Sequence, residues 1–152
     1  MSGQFEATAE IDRPVEEVFA FLADGRNDPR FSPRVLRIER VPDAPTGVGT
    51  VFRSVVKDAG MKTAREFRIT ALEAPSGIRW TEVSKNLVTV REGGYDLEPL
   101  DGGRTRLRLY NVLEGHGLGR LVAGLALTAA RKDGPAFGAR IKAAAEAAIP
   151  PR

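Results

Sequence analysis

The residues able to do chemistry in this chain sit mostly on one side of predicted strands. In Arg104 to Val112, Thr105, Leu107, Leu109 and Asn111 share one parity, while Arg104, Arg106 and Arg108 share the other. Pairing Glu98 with Arg104 across the preceding turn brings Tyr95 beside Leu107 and sets Asp96 and Glu98 against the arginines. Trp80 and Glu82 have the parity of Ile78 and are expected on the same inner face. An amide, a phenol, an indole and a carboxylate among apolar side chains would orient the polar groups of a small molecule, as ligand sites do. Gly93-Gly94 is a candidate bulge, which decides whether Arg91, or Val90 with Glu92, points inward. The plainer reading makes Trp80 and Tyr95 core aromatics with polar tips at solvent or backbone, and Glu82 a wet strand end.

Much chemistry is excluded outright. With no cysteine there is no disulfide, thiol nucleophile or thiolate-bound metal, and with one histidine there is no multi-histidine metal site. His116 could act as acid or base near neutral pH, but it lies between glycines and has no second histidine or thiol to work with, so it reads as exposed and idle. Gly115-His116-Gly117-Leu118-Gly119 lacks the spacing of a dinucleotide-binding loop and reads as a hinge into a helix. No Ser/His/Asp set, phosphate loop or carboxylate cluster is present, so no cofactor and no metal are expected. The net charge of +3 and a pI near 9.6 raise the question of nucleic acid. The arginines are scattered and interleaved with acids, however, so nucleic acid is not an expected partner. No apolar run spans a membrane or marks a signal peptide, which gives a cytoplasmic protein as the expectation.

The elements that would hold these residues follow from periodicity. Gln4 to Ile11 alternates as a half-buried strand, and Asp12-Arg13-Pro14 opens a helix whose stripe is Val15, Val18, Phe19 and Leu22, ended by Asp24-Gly25. Asn27 to Pro33 is irregular. Strands follow at Val35 to Val41, Thr50 to Lys57, Lys62 to Glu73, Ile78 to Val83, Val88 to Glu98 and Arg104 to Val112, with a hairpin turn at Asp58-Ala59-Gly60. Short turns imply antiparallel neighbours, hence one meandering sheet in a single domain over residues 1–152.

Only Leu118 to Ala148 is long enough to cover that sheet. Its first half carries the stripe Leu118, Leu121, Val122, Leu125 and Ala129, and its second half Phe137, Ile141, Ala144, Ala145 and Ala148. The two stripes differ by roughly 100° at 3.6 residues per turn. The jump falls at Gly134-Pro135 and fits either one kinked helix, the favoured form, or two abutting helices.

In this order, Ile11-Asp12-Arg13-Pro14-Val15-Glu16-Glu17-Val18-Phe19, Asn27-Asp28-Pro29-Arg30-Phe31-Ser32-Pro33-Arg34-Val35, Gly47-Val48-Gly49-Thr50, the hairpin Tyr95 to Leu107 and Arg140-Ile141-Lys142 resemble the START-like helix-grip superfamily, in its polyketide cyclase/dehydrase-like branch. The resemblance spans about Gln4 to Ala148, with Phe31 where relatives often carry tryptophan. It implies an α+β helix-grip fold: a curved antiparallel sheet of about seven strands around a long C-terminal helix, with an apolar cavity between them. It does not imply a reaction.

Three functions are compatible with that fold. One is binding of a small hydrophobic or aromatic molecule, with Trp80, Glu82, Tyr95, Leu107, Leu109, Asn111, Leu121 and Leu125 as the expected ligand-binding residues. Another is a cofactor-independent polyketide cyclase or dehydratase, in which Tyr95, Asn111 and either Arg91 or Glu92 handle an enol and its proton. The last is a protein-interaction domain with a vestigial cavity. A monomer or homodimer is expected in each case.

Overall fold

The computed structural model describes residues 2–58 and 60–152. The strands are β1 (Ser2–Ile11), β2 (Val35–Val41), β3 (Val51–Asp58), β4 (Met61–Glu73), β5 (Gly77–Glu82), β6 (Val88–Leu100) and β7 (Arg104–Gly115). The helices are α1 (Val15–Ala23) and α2 (Gly119–Ala148), and a 3-10 turn occupies Gly25–Arg30. The turn expected at Asp58-Ala59-Gly60 includes Ala59, which lies outside the described residues.

All seven strands form one antiparallel sheet in the order β1-β7-β6-β5-β4-β3-β2. It is a meander except that the first strand closes onto the last. From Gly93 onward in β6, and along the facing part of β7, side chains alternate between the two faces of the sheet. Leu97, Tyr95, Leu107 and Leu109 are buried, while Arg106 pairs with Glu98 at 2.6 Å and Arg108 with Asp96 at 2.9 Å on the outer face. Acids from β1 join that ladder, Glu6 to Arg108 at 2.9 Å and Glu10 to Arg104 at 3.2 Å. Exposed ion pairs of this kind contribute about 0–1 kcal/mol each. Burying one large apolar side chain contributes about 1.5–3 kcal/mol, so the inner face holds the sheet in place.

The register differs from the expected one. Glu98 faces Arg106, not Arg104, and Tyr95 faces Leu109, not Leu107. The hairpin closes tightly, with Leu100 opposite Arg104 around Asp101-Gly102-Gly103, and both Gly102 (φ 79°) and Gly103 (φ 70°) take left-handed backbone angles. The correction is two residues along the strand, so every side chain keeps its face.

Helix α1 starts after an extended Pro14, has Glu16 and Glu17 in its first turn, and buries Val15, Val18, Phe19, Phe21 and Leu22. Helix α2 is one continuous helix of 30 residues with Pro135 inside it, which excludes two abutting helices. Its buried line is Ala123, Leu127, Gly134, Gly138, Ile141 and Ala145. These lie at steps of seven, four and three and form a single stripe with no phase jump. The residues expected to be buried in the first half are instead exposed, Leu118, Leu121 and Leu125 each by more than 70% (74%, 78% and 74%). The reason is close packing of helix on strand. A Cβ on Gly138 would stand 2.2 Å from the Thr8 carbonyl oxygen, and one on Gly134 2.8 Å from that of Glu6. The small residues together with Leu127, not Leu118, Leu121 and Leu125, form the surface pressed onto β1.

Candidate ligand cavity

Between the inner face of the sheet and α2 lies a cavity of about 1230 Å³. It exceeds the ~300–1,000 Å³ typical of small-molecule sites. Alternation along each strand supplies its walls. Phe52, Ser54, Val56 and Asp58 come from β3, and Thr63, Arg65, Phe67 and Ile69 from β4. On α2, Val122, Leu125, Ala129 and Phe137 line it. Leu125 borders the cavity while remaining largely exposed, so this side is open to solvent.

Of the expected ligand-binding residues, Trp80, Tyr95, Leu109, Asn111 and Leu125 line the cavity. Trp80, Gly93 and Asn111 stand in one row across β5, β6 and β7. The Trp80 indole N–H donates to Asn111 Oδ1 at 3.0 Å, and the Trp80 and Tyr95 rings meet edge to face at 5.0 Å between centroids. Burial pushes the Tyr95 hydroxyl well above its usual range, the charge of Asp28 adding to the effect.

Glu82, Leu107 and Leu121 do not line it. The Glu82 side chain is 0% exposed, and its carboxylate is used up internally. It pairs with Arg65 at 3.0 Å and accepts from Ser84 Oγ at 2.6 Å, Asn86 Nδ2 at 2.9 Å and the Val90 N–H at 2.9 Å. Leu107, 1% exposed, lies in the packed core with Val18, Leu22, Ile141 and Ile149, where α1 and the end of α2 close the sheet. Leu121 faces away from the cavity.

The irregularity in β6 falls between Val90 and Glu92, ahead of Gly93-Gly94. It puts Val90 on the cavity wall, leaves Arg91 exposed and turns Glu92 to the outer face, where it accepts from the Tyr110 hydroxyl at 2.8 Å. Neither charged residue reaches Tyr95 or Asn111 from inside. His116 is exposed and its Nε2 lies 2.7 Å from Thr89 Oγ1.

Two polar groups of the cavity were not singled out by spacing. Arg65 has the parity of Phe67 and Ile69, a legible signal, and is aimed into the cavity wall while Glu82 holds its guanidinium. Asp28 lies in the 3-10 turn, where no period betrays orientation. Its carboxyl is pushed up to about 7 by burial, the nearby charge of Asp24 raising it further. Among the described residues no cluster of acids or histidine could hold a metal ion, and no helix is long and apolar enough to cross a membrane.

A family model described as polyketide cyclase/dehydrase and lipid transport matches residues 2–146. No curated protein matches the sequence. Among solved structures, a protein from Thermus thermophilus is similar at TM-score 0.79 and 19% identity, over 97% of this chain and 100% of that one. The Zhui aromatase/cyclase from a Streptomyces species is similar at TM-score 0.74 and 21% identity, over 95% and 92%. A START superfamily protein from Mycobacterium smegmatis is similar at TM-score 0.72 and 16% identity, over 96% and 99%. At these identities the likeness is one of fold.

Proposed function

From the premise that this chain belongs to the polyketide cyclase/dehydrase and lipid transport family, with the START-like helix-grip fold, we propose that it binds a small hydrophobic or aromatic molecule between sheet and α2. The observation that carries this reading is the cavity itself: about 1230 Å³, walled by apolar and aromatic side chains, with a few convergent polar groups at Trp80, Tyr95, Asn111, Asp28 and Arg65. The amide NH₂ of Asn111 and the hydroxyl of Tyr95 are the groups offered to a ligand, because the Asn111 oxygen is already taken by Trp80. A cyclase reaction of the expected kind calls for a proton carrier beside Tyr95 and Asn111. Arg91 and Glu92, the expected candidates for that part, lie outside, so neither supplies that proton carrier. An open cavity also counts against a purely protein-binding domain with a filled interior.

Native mass spectrometry of freshly purified protein tests the reading. A single non-covalent adduct that disappears on denaturation is expected, or, for protein purified empty, saturable uptake of one hydrophobic fluorophore per chain. Protein that neither carries nor takes up any apolar molecule would overturn it.

A further inference from the structure

Six charged side chains line the cavity: Asp28, Arg34, Asp58, Arg65, Asp133 and Arg140. Five of them are neutralised within the protein. Arg34 pairs with Asp58 at 2.9 Å, Arg140 with Asp133 at 2.8 Å, and Arg65 with Glu82 at 3.0 Å. Asp28 is different. Among the described residues its carboxyl forms no salt bridge and no side-chain hydrogen bond, and the only charge that acts on it appreciably is the like charge of Asp24. Aromatic rings from Phe31, Phe52, Trp80, Tyr95 and Phe137 line the same cavity.

Asp28 is half-buried on a mostly apolar cavity wall, and a carboxylate held there without a counter-charge is costly and favours taking up either a proton or a cation. The ligand can supply the cation. An ammonium would donate to the Asp28 oxygens and cancel their charge, and the negative faces of the surrounding rings favour a cation in the same space. An anionic ligand would find the arginines already paired and Asp28 repelling it. We propose that the cavity selects an organic cation, a hydrophobic or aromatic amine whose ammonium pairs with Asp28 while its apolar body lies against the aromatic walls. The inference rests on the cavity being a ligand site.

The charged and titratable groups that act on Asp28 or line the same cavity bear on the expected pH behaviour. Asp24 precedes it, Tyr95 comes from β6, Arg34 and Asp58 from the β2 and β3 side, Arg65 from β4, and Asp133 and Arg140 from α2. Arg140 holds the Asp133 carboxyl below its usual range, and burial holds the Tyr95 hydroxyl protonated. Asp28, at about 7, is the group that changes charge near neutrality, so an amine competes with its proton and binds more tightly as pH rises.

Isothermal titration calorimetry of the full chain with naphthylethylamine and its neutral counterpart naphthylethanol tests this. The wild type should prefer the amine at about pH 8, and amine affinity should drop by about ten-fold at about pH 6, while alcohol affinity stays level. Asp28→Asn, which keeps side-chain volume, should lose both the preference and the pH dependence and still bind the alcohol. Equal affinity of the two probes in the wild type would overturn the inference while leaving the ligand-binding reading intact. So would an amine preference that survives in a folded Asp28→Asn protein. Failure of the wild type to bind either probe would overturn the ligand-binding reading and the inference with it.

Discussion

Trp80 donates its indole N–H to Asn111 Oδ1 at 3.0 Å across a strand that has no side chain at the crossing point. The intervening residue is Gly93, and a Cβ there would stand 2.2 Å from both the Asn111 oxygen and the indole nitrogen. The bond, the bare backbone and the cavity wall therefore depend on one another.

Gly93→Ala should break that hydrogen bond and force both side chains to move, at a cost of about 1–3 kcal/mol from overpacking. Urea denaturation followed by Trp80 fluorescence reports both the stability loss and the changed indole environment. An unchanged midpoint and spectrum would show that the row is slack.

Asn111→Leu removes the partner of the half-buried indole N–H, at a cost of up to about 1 kcal/mol for the lost bond. This variant should lose stability as well as affinity for an apolar probe, whereas Arg106→Leu, on the outer face, should leave probe affinity within error. The reverse pattern would put the inner and outer faces of β7 the wrong way round.

Pro135→Ala should stabilise the protein. Pro135 is exposed on α2 and lacks the amide that would bond the carbonyl one turn earlier, so alanine there gains on the order of 1–3 kcal/mol. Gly138→Ala should do the opposite, since its methyl meets the Thr8 carbonyl. Thermal melts of the two variants should move in opposite directions.

Stability should fall as pH rises through the range set by Asp28. Its folded pKa of about 7 lies above the ordinary value of 3.8, so the folded state holds the extra proton between those values. Stability is therefore lost as pH rises from the lower value to the higher, by up to a few kcal/mol (roughly 1.4 per unit). Asp28→Asn should be more stable than wild type at about pH 8 and no better at about pH 4. Denaturant midpoints across pH check this, and parallel profiles for the two proteins would contradict it.

The order of elements along the chain, the faces of β6 and β7 and the short first helix are legible from alternation and turn residues, because a half-buried strand must repeat every two residues, whereas the pairing of β1 with β7 leaves no local signal. The two-residue register error at Glu98 is invisible to alternation, since it preserves parity. Helix α2 misleads for a related reason. Periodicity weighs Leu118, Leu121 and Leu125 heavily and gives Gly134 and Gly138 no weight, yet close approach to β1 requires the glycines. Glu82 has the inward parity expected of it, but its four internal partners come from β4, the β5–β6 loop and β6. Only the three-dimensional arrangement shows that it is occupied. Asp28 lies in a turn with no period, where sequence pattern carries no orientation at all.

The pairing of β1 with β7 has a kinetic side. Ile11 and Thr105 are neighbours in the sheet although more than ninety positions separate them in the chain. Six of the seven strands can zip together locally as they emerge from the ribosome, each onto the one before it. The first strand made has to wait for the last before it finds a partner, and α2, which rests chiefly on β1, waits with it. Such non-local closure slows folding and leaves an unpaired edge exposed meanwhile. The step that completes the sheet is thus also the one that roofs the cavity, so a nascent chain acquires its binding site only at the very end of its assembly.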